Sequence, residues 1–333
     1  MSKRFENYQN RASFKLPQKF EGIVKHAQED GELLICLRSG CLHIYYRGGK
    51  ILEVKNRLSL DKKYLNLKKS HLPSEFIWLS SFKDADVIED PKKYFTHAKK
   101  VMDLWFKENP KQERDDQQSI AIHNQSCLNE GELAVIDIEY AVSFNSNCYN
   151  KAYKDTNKEY VKYPNPRFDI VAIDREGQLY VLELKTGSGS TKNCVTHITD
   201  FAAMIGSHRI GDENSSIQPQ KRWFTFASEM NEVVDKLNDK RYRDLKTLLP
   251  SVKMDKPPVF MFAFTEKKDA DGKINSSQIQ REKFEKIVSD AISDAIKDSE
   301  IRALGKDVED LINNNFIRKE IIFIDDNSFK LKL

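Results

Sequence analysis

The 333-residue chain is long enough for one large or two modest domains, and its 39% hydrophobic content allows a real core. With 32% charged residues able to solvate the surface of such a core, the composition excludes a disordered chain. Lys and Arg total 54 against 51 Asp and Glu, a net of +3. Nucleic-acid binding is therefore neither demanded nor excluded, and any basic surface must come from local clustering.

The first 19 residues are polar and lack an apolar signal core. No run along the chain approaches the roughly 20 apolar residues that a membrane span needs. The expectation is a soluble, cytoplasmic protein with no membrane partner. Residues 20–58 then read as strand-rich. Two apolar runs, 32–38 and 41–47, are separated by Ser39 and Gly40, and a Gly48-Gly49 turn leads into the β-prone stretch 51–54. Residues 1–90 are accordingly expected to form an N-terminal β-rich domain. The five cysteines are odd in number and form no CxxC pair, which argues against a disulfide framework or a zinc ribbon. Cys36, Cys41 and His43 come nearest to a metal cluster; they are read here as alternating strand residues.

Pro91 opens an amphipathic helix to about Lys107, with Tyr94, Ala98, Val101, Met102, Trp105 and Phe106 at helical spacing. A second helix is expected from Gln112 to Cys127. Strands follow at 133–144, 167–173 and 178–185, the first two separated by a polar, Tyr-rich excursion at 145–166. Helices are expected around 196–207 and 228–249, a buried strand at 258–264, a long helix over 277–297 and a last strand at 320–324. That order predicts an α/β domain over residues 91–333, with a mixed central sheet flanked by helices.

The informative stretch runs from Arg167 to Lys185. Asp174-Arg-Glu-Gly177 predicts a hairpin turn, and folding there brings Asp169 opposite residue 182 or 183. The period of two puts Glu183 and Lys185 on one face of their strand. Their neighbours Leu179, Val181, Leu182 and Leu184 are apolar, so both faces are covered. Two carboxylates and an ammonium in such a setting are costly unless paired or metal-bound. Hard carboxylate oxygens suit Mg²⁺, which leaves positions for water and phosphate. Lys185 can then orient a water or stabilise a transition-state oxygen.

At these residues the chain resembles the PD-(D/E)xK superfamily, the restriction-endonuclease-like nucleases, over about residues 112–265. The proline of that motif does not directly precede Asp169; Pro166 lies three residues upstream. The resemblance implies a restriction-endonuclease-like core and a Mg²⁺-dependent nuclease, with Mn²⁺ able to substitute. Asp169 and Glu183 would bind the metal, joined by Leu184 through its main chain, and Lys185 would assist catalysis. It also implies a further acid. Glu113, on the helix before the sheet with Gln117 on the same face, is one contender, against the reading that this charge run is a solvated helix face. Glu139, alternating with Asp137 on the first strand, is the other.

Thr186–Lys192 is not a P-loop, because no glycine precedes Lys192, although the loop's amides and lysine suit a phosphate backbone. His197 and His208 are read as surface histidines. The expected partner is nucleic acid, DNA before RNA. The N-terminal domain would recruit substrate, a partner protein or a second copy of the chain. A catalytically inactive binding or assembly subunit that retains the nuclease fold is the rival reading.

Overall fold

The computed structural model describes residues 14–38, 40–61, 65, 74–109, 112–126, 129–141, 167–186, 194–205, 221–266, 278–297, 309–325 and 328–333. Among these it forms two sheets flanked by helices, a mixed α/β architecture.

The first sheet is an antiparallel meander of β1 (Leu33–Arg38), β2 (Cys41–Tyr46), β3 (Gly49–Val54) and β4 (Leu58–Ser59). Strand alternation sends Leu42, Ile44, Leu52 and Val54 into a core that they share with helix α1 (Glu21–Glu29) and helix α4 (Pro91–Glu108). Helix α1 is not evident from the sequence, because it carries only three buried apolar residues, Ile23, Val24 and Ala27. The short helices α2 (Ser74–Ser81) and α3 (Asp84–Glu89) are not evident either. Among the described residues up to 90, helices thus stand beside the expected strands. Helix α4 starts as expected, with Pro91 in its first turn and the Asp90 carboxylate accepting from the Lys93 N–H at 2.9 Å. It lies beyond the expected boundary at residue 90 yet packs on the first sheet, where the Tyr94 hydroxyl donates to the Ile51 carbonyl at 2.6 Å.

The second sheet has the order β5 (Leu133–Ala141), β6 (Arg167–Asp174), β7 (Leu179–Thr186), β8 (Val259–Glu266), β9 (Ile317–Asp325). The first three strands are antiparallel; β8 and β9 add in parallel. Phe260, Phe262 and Phe264 face a core built with α6 (Cys194–Ile205), α7 (Lys221–Leu237) and α8 (Gln278–Lys297). The opposite face, with Ile170, Leu182, Leu184 and Met261, packs against Ile120 of α5 (Gln112–His123) and against Leu34 and Cys36 of β1. A central strand buried on both faces reads as a continuous apolar run, which is why β7 and β8 were legible.

Helix α7 differs from expectation, ending at Leu237 instead of near 249. Asn238 caps that break by donating to the Leu249 carbonyl and accepting from the Leu249 N–H, at 3.0 and 2.8 Å. The 145–166 excursion lies outside the described residues.

Candidate metal-dependent active site

The site forms where β6 and β7 part company. Their turn is closed by the Gly177 N–H donating to the Asp174 carbonyl at 3.1 Å, with Gly177 at φ +88°. From there the ladder runs to its last pair, Ile170 opposite Leu182, which continues in register to Asp169 opposite Glu183. Beyond that pair side chains replace ladder bonds. The Leu184 N–H donates to Asp169 Oδ2 at 2.8 Å, and Gln117 Nε2 donates to the Asp169 carbonyl at 2.6 Å. Backbone groups freed where a sheet splays must find such partners, and here they hold the Asp169 carboxylate in place. The Leu184 N–H thus orients Asp169, a different role from the metal ligand expected of Leu184, while its side chain packs into the opposite core.

Glu183 and Lys185 are both almost fully buried. Lys185 Nζ lies 2.9 Å from Glu183 Oε1, and His197 Nε2 reaches the same oxygen at 3.0 Å from α6. Glu183 Oε2 is buried with no hydrogen-bond partner. His197 is therefore not the surface histidine expected from the sequence. A residue in the first turns of α6 points back over the sheet, and linear sequence does not reveal that direction.

The electrostatics follow from burial among like and unlike charges. Burial works to raise the Glu183 pKa, but His197 and Lys185 outweigh it and hold the carboxyl below its ordinary range. Glu183 is thus an ionised acceptor, and the His197 nitrogen facing it is a donor. Against the downward pull of burial, Glu183 and then Asp169 hold the Lys185 ammonium raised. Asp169 is pushed well above the usual carboxylate range by burial and by the Glu183 charge, with Glu113 adding to it. Burial also raises Glu113, with Glu183 and Glu139 adding and Lys185 and His197 opposing. Asp200, one turn after His197, is raised to about 7 by burial and by Glu183.

The contending acids both lie close to this centre. Helix α5 carries Glu113 into the field of Glu183 and Lys185, and the same helix buries Asp116, Gln117 and Gln118. The helix is therefore a polar clamp, which corrects the reading of a solvated face. The flanking pairs Ile138–Ile170 and Tyr140–Phe168 put Glu139 opposite Asp169 across β5 and β6. Glu139 has φ +50° and lies 3.2 Å from Arg167. Asp137, its strand neighbour, is engaged elsewhere: it pairs with Arg38 of the first sheet. Asp200 was not singled out from the sequence, since His197, Thr199 and Asp200 on one mixed helix give no sign of which face meets the sheet. His208 and residues 187–193 lie outside the described residues.

Carboxylate oxygens are the donors a hard divalent cation takes, but among the described residues of this centre no three ligand atoms lie within 4.8 Å of one another, so an ion would have to draw them together. The carboxyl groups of Glu113, Asp169 and Asp200 all lie in the field of Glu183, beside the Lys185 ammonium, and one buried Glu183 oxygen has no hydrogen-bond partner. A cation relieves both the mutual repulsion and the orphaned oxygen. Comparison with protein-family models, curated proteins and solved structures found no match to this chain.

Proposed function

We propose that the chain is a metal-dependent nuclease that hydrolyses phosphodiester bonds, with DNA as substrate. The observation that carries this reading is the buried Glu183–Lys185 pair beside the half-buried Asp169 at the parted ends of β6 and β7, with Glu183 Oε2 unpartnered. The second sheet, with its preceding helix, three antiparallel strands, crossover helix and parallel strand, supports a restriction-endonuclease-like core.

Asp169 and Glu183 would hold Mg²⁺, with Mn²⁺ able to replace it, and Glu113 or Glu139 would complete the acidic set. When bound, the ion neutralises phosphoryl charge and acidifies a water. The chain's own groups do the rest. The Leu184 N–H keeps the Asp169 carboxylate in one orientation. His197 and Lys185 keep Glu183 ionised, so it is ready to accept a cation without first losing a proton. Lys185, a point charge with movable donors, stabilises negative charge that develops on the attacked phosphate. Burial of the whole group strengthens each of these interactions by excluding water.

The test is cleavage of plasmid, single-stranded DNA and RNA by the purified protein in Mg²⁺, Mn²⁺ or EDTA. Cleavage of DNA that EDTA abolishes is expected, with Asp169→Ala inactive. In Lys185→Met the single-turnover rate should fall by about two orders of magnitude while substrate affinity changes little. His197 still partners Glu183 in that variant, so it should stay folded. Metal-independent cleavage, or a folded Lys185→Met protein that cuts at the wild-type rate, would remove the assignment.

A further inference from the structure

A second cluster of ligand-type side chains lies on the first sheet, away from the acidic centre. Cys41 and His43 are two residues apart on β2 and so share a face, and the β2–β3 register sets Glu53 opposite His43. Cys41 Sγ lies 3.4 Å from His43 Nε2, and that nitrogen lies 3.1 Å from Glu53 Oε2. All three donor atoms fall within 4.8 Å of one another. Tetrahedral zinc with bonds of about 2.0–2.3 Å separates its ligand atoms by roughly 3.3–3.6 Å. The Cys41–His43 and His43–Glu53 separations are already within a few tenths of an ångström of that spacing.

The surroundings are those of a metal-bound imidazole. His43 Nδ1 lies 3.1 Å from the Tyr45 hydroxyl, and Arg38 sits over the Tyr45 ring at 5.6 Å. A proton on Nδ1 donated to that hydroxyl leaves the Nε2 lone pair facing Cys41 and Glu53, the second-neighbour hydrogen bond that orients ligand histidines. Cys41 is buried, while His43 and Glu53 are partly open, so a fourth position can take water. Lys50 Nζ contacts Glu53 Oε2 at 2.7 Å. It supplies positive charge at the carboxylate and is itself partly exposed, free to swing to solvent when an ion takes its place.

We propose that Cys41, His43 and Glu53 are a zinc site, with water as the fourth ligand. In linear sequence Cys41 and His43 are alternating strand residues; the register adds Glu53 as the third ligand, which spacing from Cys36 does not. A thiolate and an imidazole select Zn²⁺ over Mg²⁺, so this site and the acidic one would hold different metals. Three side chains from two strands joined by one ion would pin β2 to β3 beside Arg38, which ties the first sheet to the second.

The test titrates the reduced, EDTA-treated full chain with Zn²⁺ and with Co²⁺ in excess Mg²⁺. One equivalent should bind, with thiolate-to-cobalt charge-transfer absorption, and Mg²⁺ should not compete. Cys41→Ser should abolish that absorption, and Glu53→Gln should weaken zinc binding by more than about tenfold. Both variants should keep the wild-type circular dichroism without metal. Asp169→Ala should bind zinc as the wild type does, which separates this site from the proposed nuclease centre. Absence of stoichiometric binding, binding indifferent to both first substitutions, or binding lost in Asp169→Ala would each overturn the proposal.

Discussion

Asp200 sits one helical turn from His197, its carboxyl raised to about 7 by burial and by the Glu183 charge. Such a group binds its proton more tightly in the folded chain than in the unfolded one. The stability it lends is full below the unfolded value, about 3.9, and is lost as pH rises through about 7. Asp200→Asn should therefore gain on the wild type as pH rises from 4 to 8 in metal-free buffer. Melting temperatures across that range check it, and a constant difference between the two proteins would contradict it. The neighbouring residues differ in how visible they were. Asp169, Glu183 and Lys185 announced themselves because charges interrupt apolar strands. His197 and Asp200 did not, because a helix with mixed residues gives no sign of which face meets the sheet edge.

The β6–β7 hairpin is the element on which the acidic centre depends, and its turn allows little variation. Gly177 has φ +88°, and an added Cβ would lie 2.2 Å from the Ser251 carbonyl oxygen. The Lys253 N–H donates to the Gly177 carbonyl at 2.7 Å, so the turn is also pinned from outside. Gly177→Ala should cost more than the ~1 kcal/mol of an unfavourable backbone conformation, because the Ser251 backbone must move as well. Urea denaturation measures that loss. A shift in the turn also slides Asp169 against Glu183, so divalent-ion affinity should fall in the folded variant. An unchanged midpoint with unchanged metal affinity would mean that the turn does not set the register. The hairpin was legible from Gly177 and the flanking apolar strands. Helix α5 was legible as a helix, yet its role was not. Gln117 bonds to Asp169, and Gln118 bonds to Glu32 and Tyr45, so consecutive glutamines tie one helix to both sheets.

Across the whole molecule the two sheets are joined by buried polar contacts as well as by apolar packing. Arg38 of β1 pairs with Asp137 of β5 and donates to the Ile138 carbonyl at 2.7 Å. Arg243, also buried, donates to the Val135 carbonyl at 3.0 Å on the same strand. Removing one member of a buried pair takes away the other charge's ionic partner, so Asp137→Leu or Arg38→Met alone should cost up to about 3–5 kcal/mol. The double substitution should cost clearly less than the sum of the two, since the charge–charge contact is lost only once. A double-mutant cycle by denaturant unfolding measures the coupling, and strict additivity would show that the pair does not link the sheets. No helix among the described residues is long and apolar enough to cross a membrane.

Periodicity and turn chemistry in the linear chain were sufficient for the α/β class, the strands of both sheets except β4, the start of α4 and the face shared by Glu183 and Lys185. Those features depend on neighbours within a few residues, where strand alternation and glycine geometry act directly. Only the tertiary structure decided that Asp137 belongs to Arg38, that His197 and Asp200 close over Glu183, and that Glu53 faces His43 and Cys41. Each of these joins residues from different elements. Which side chain meets a buried charge depends on register between strands and on how a helix is rotated against a sheet, and neither is written in local spacing.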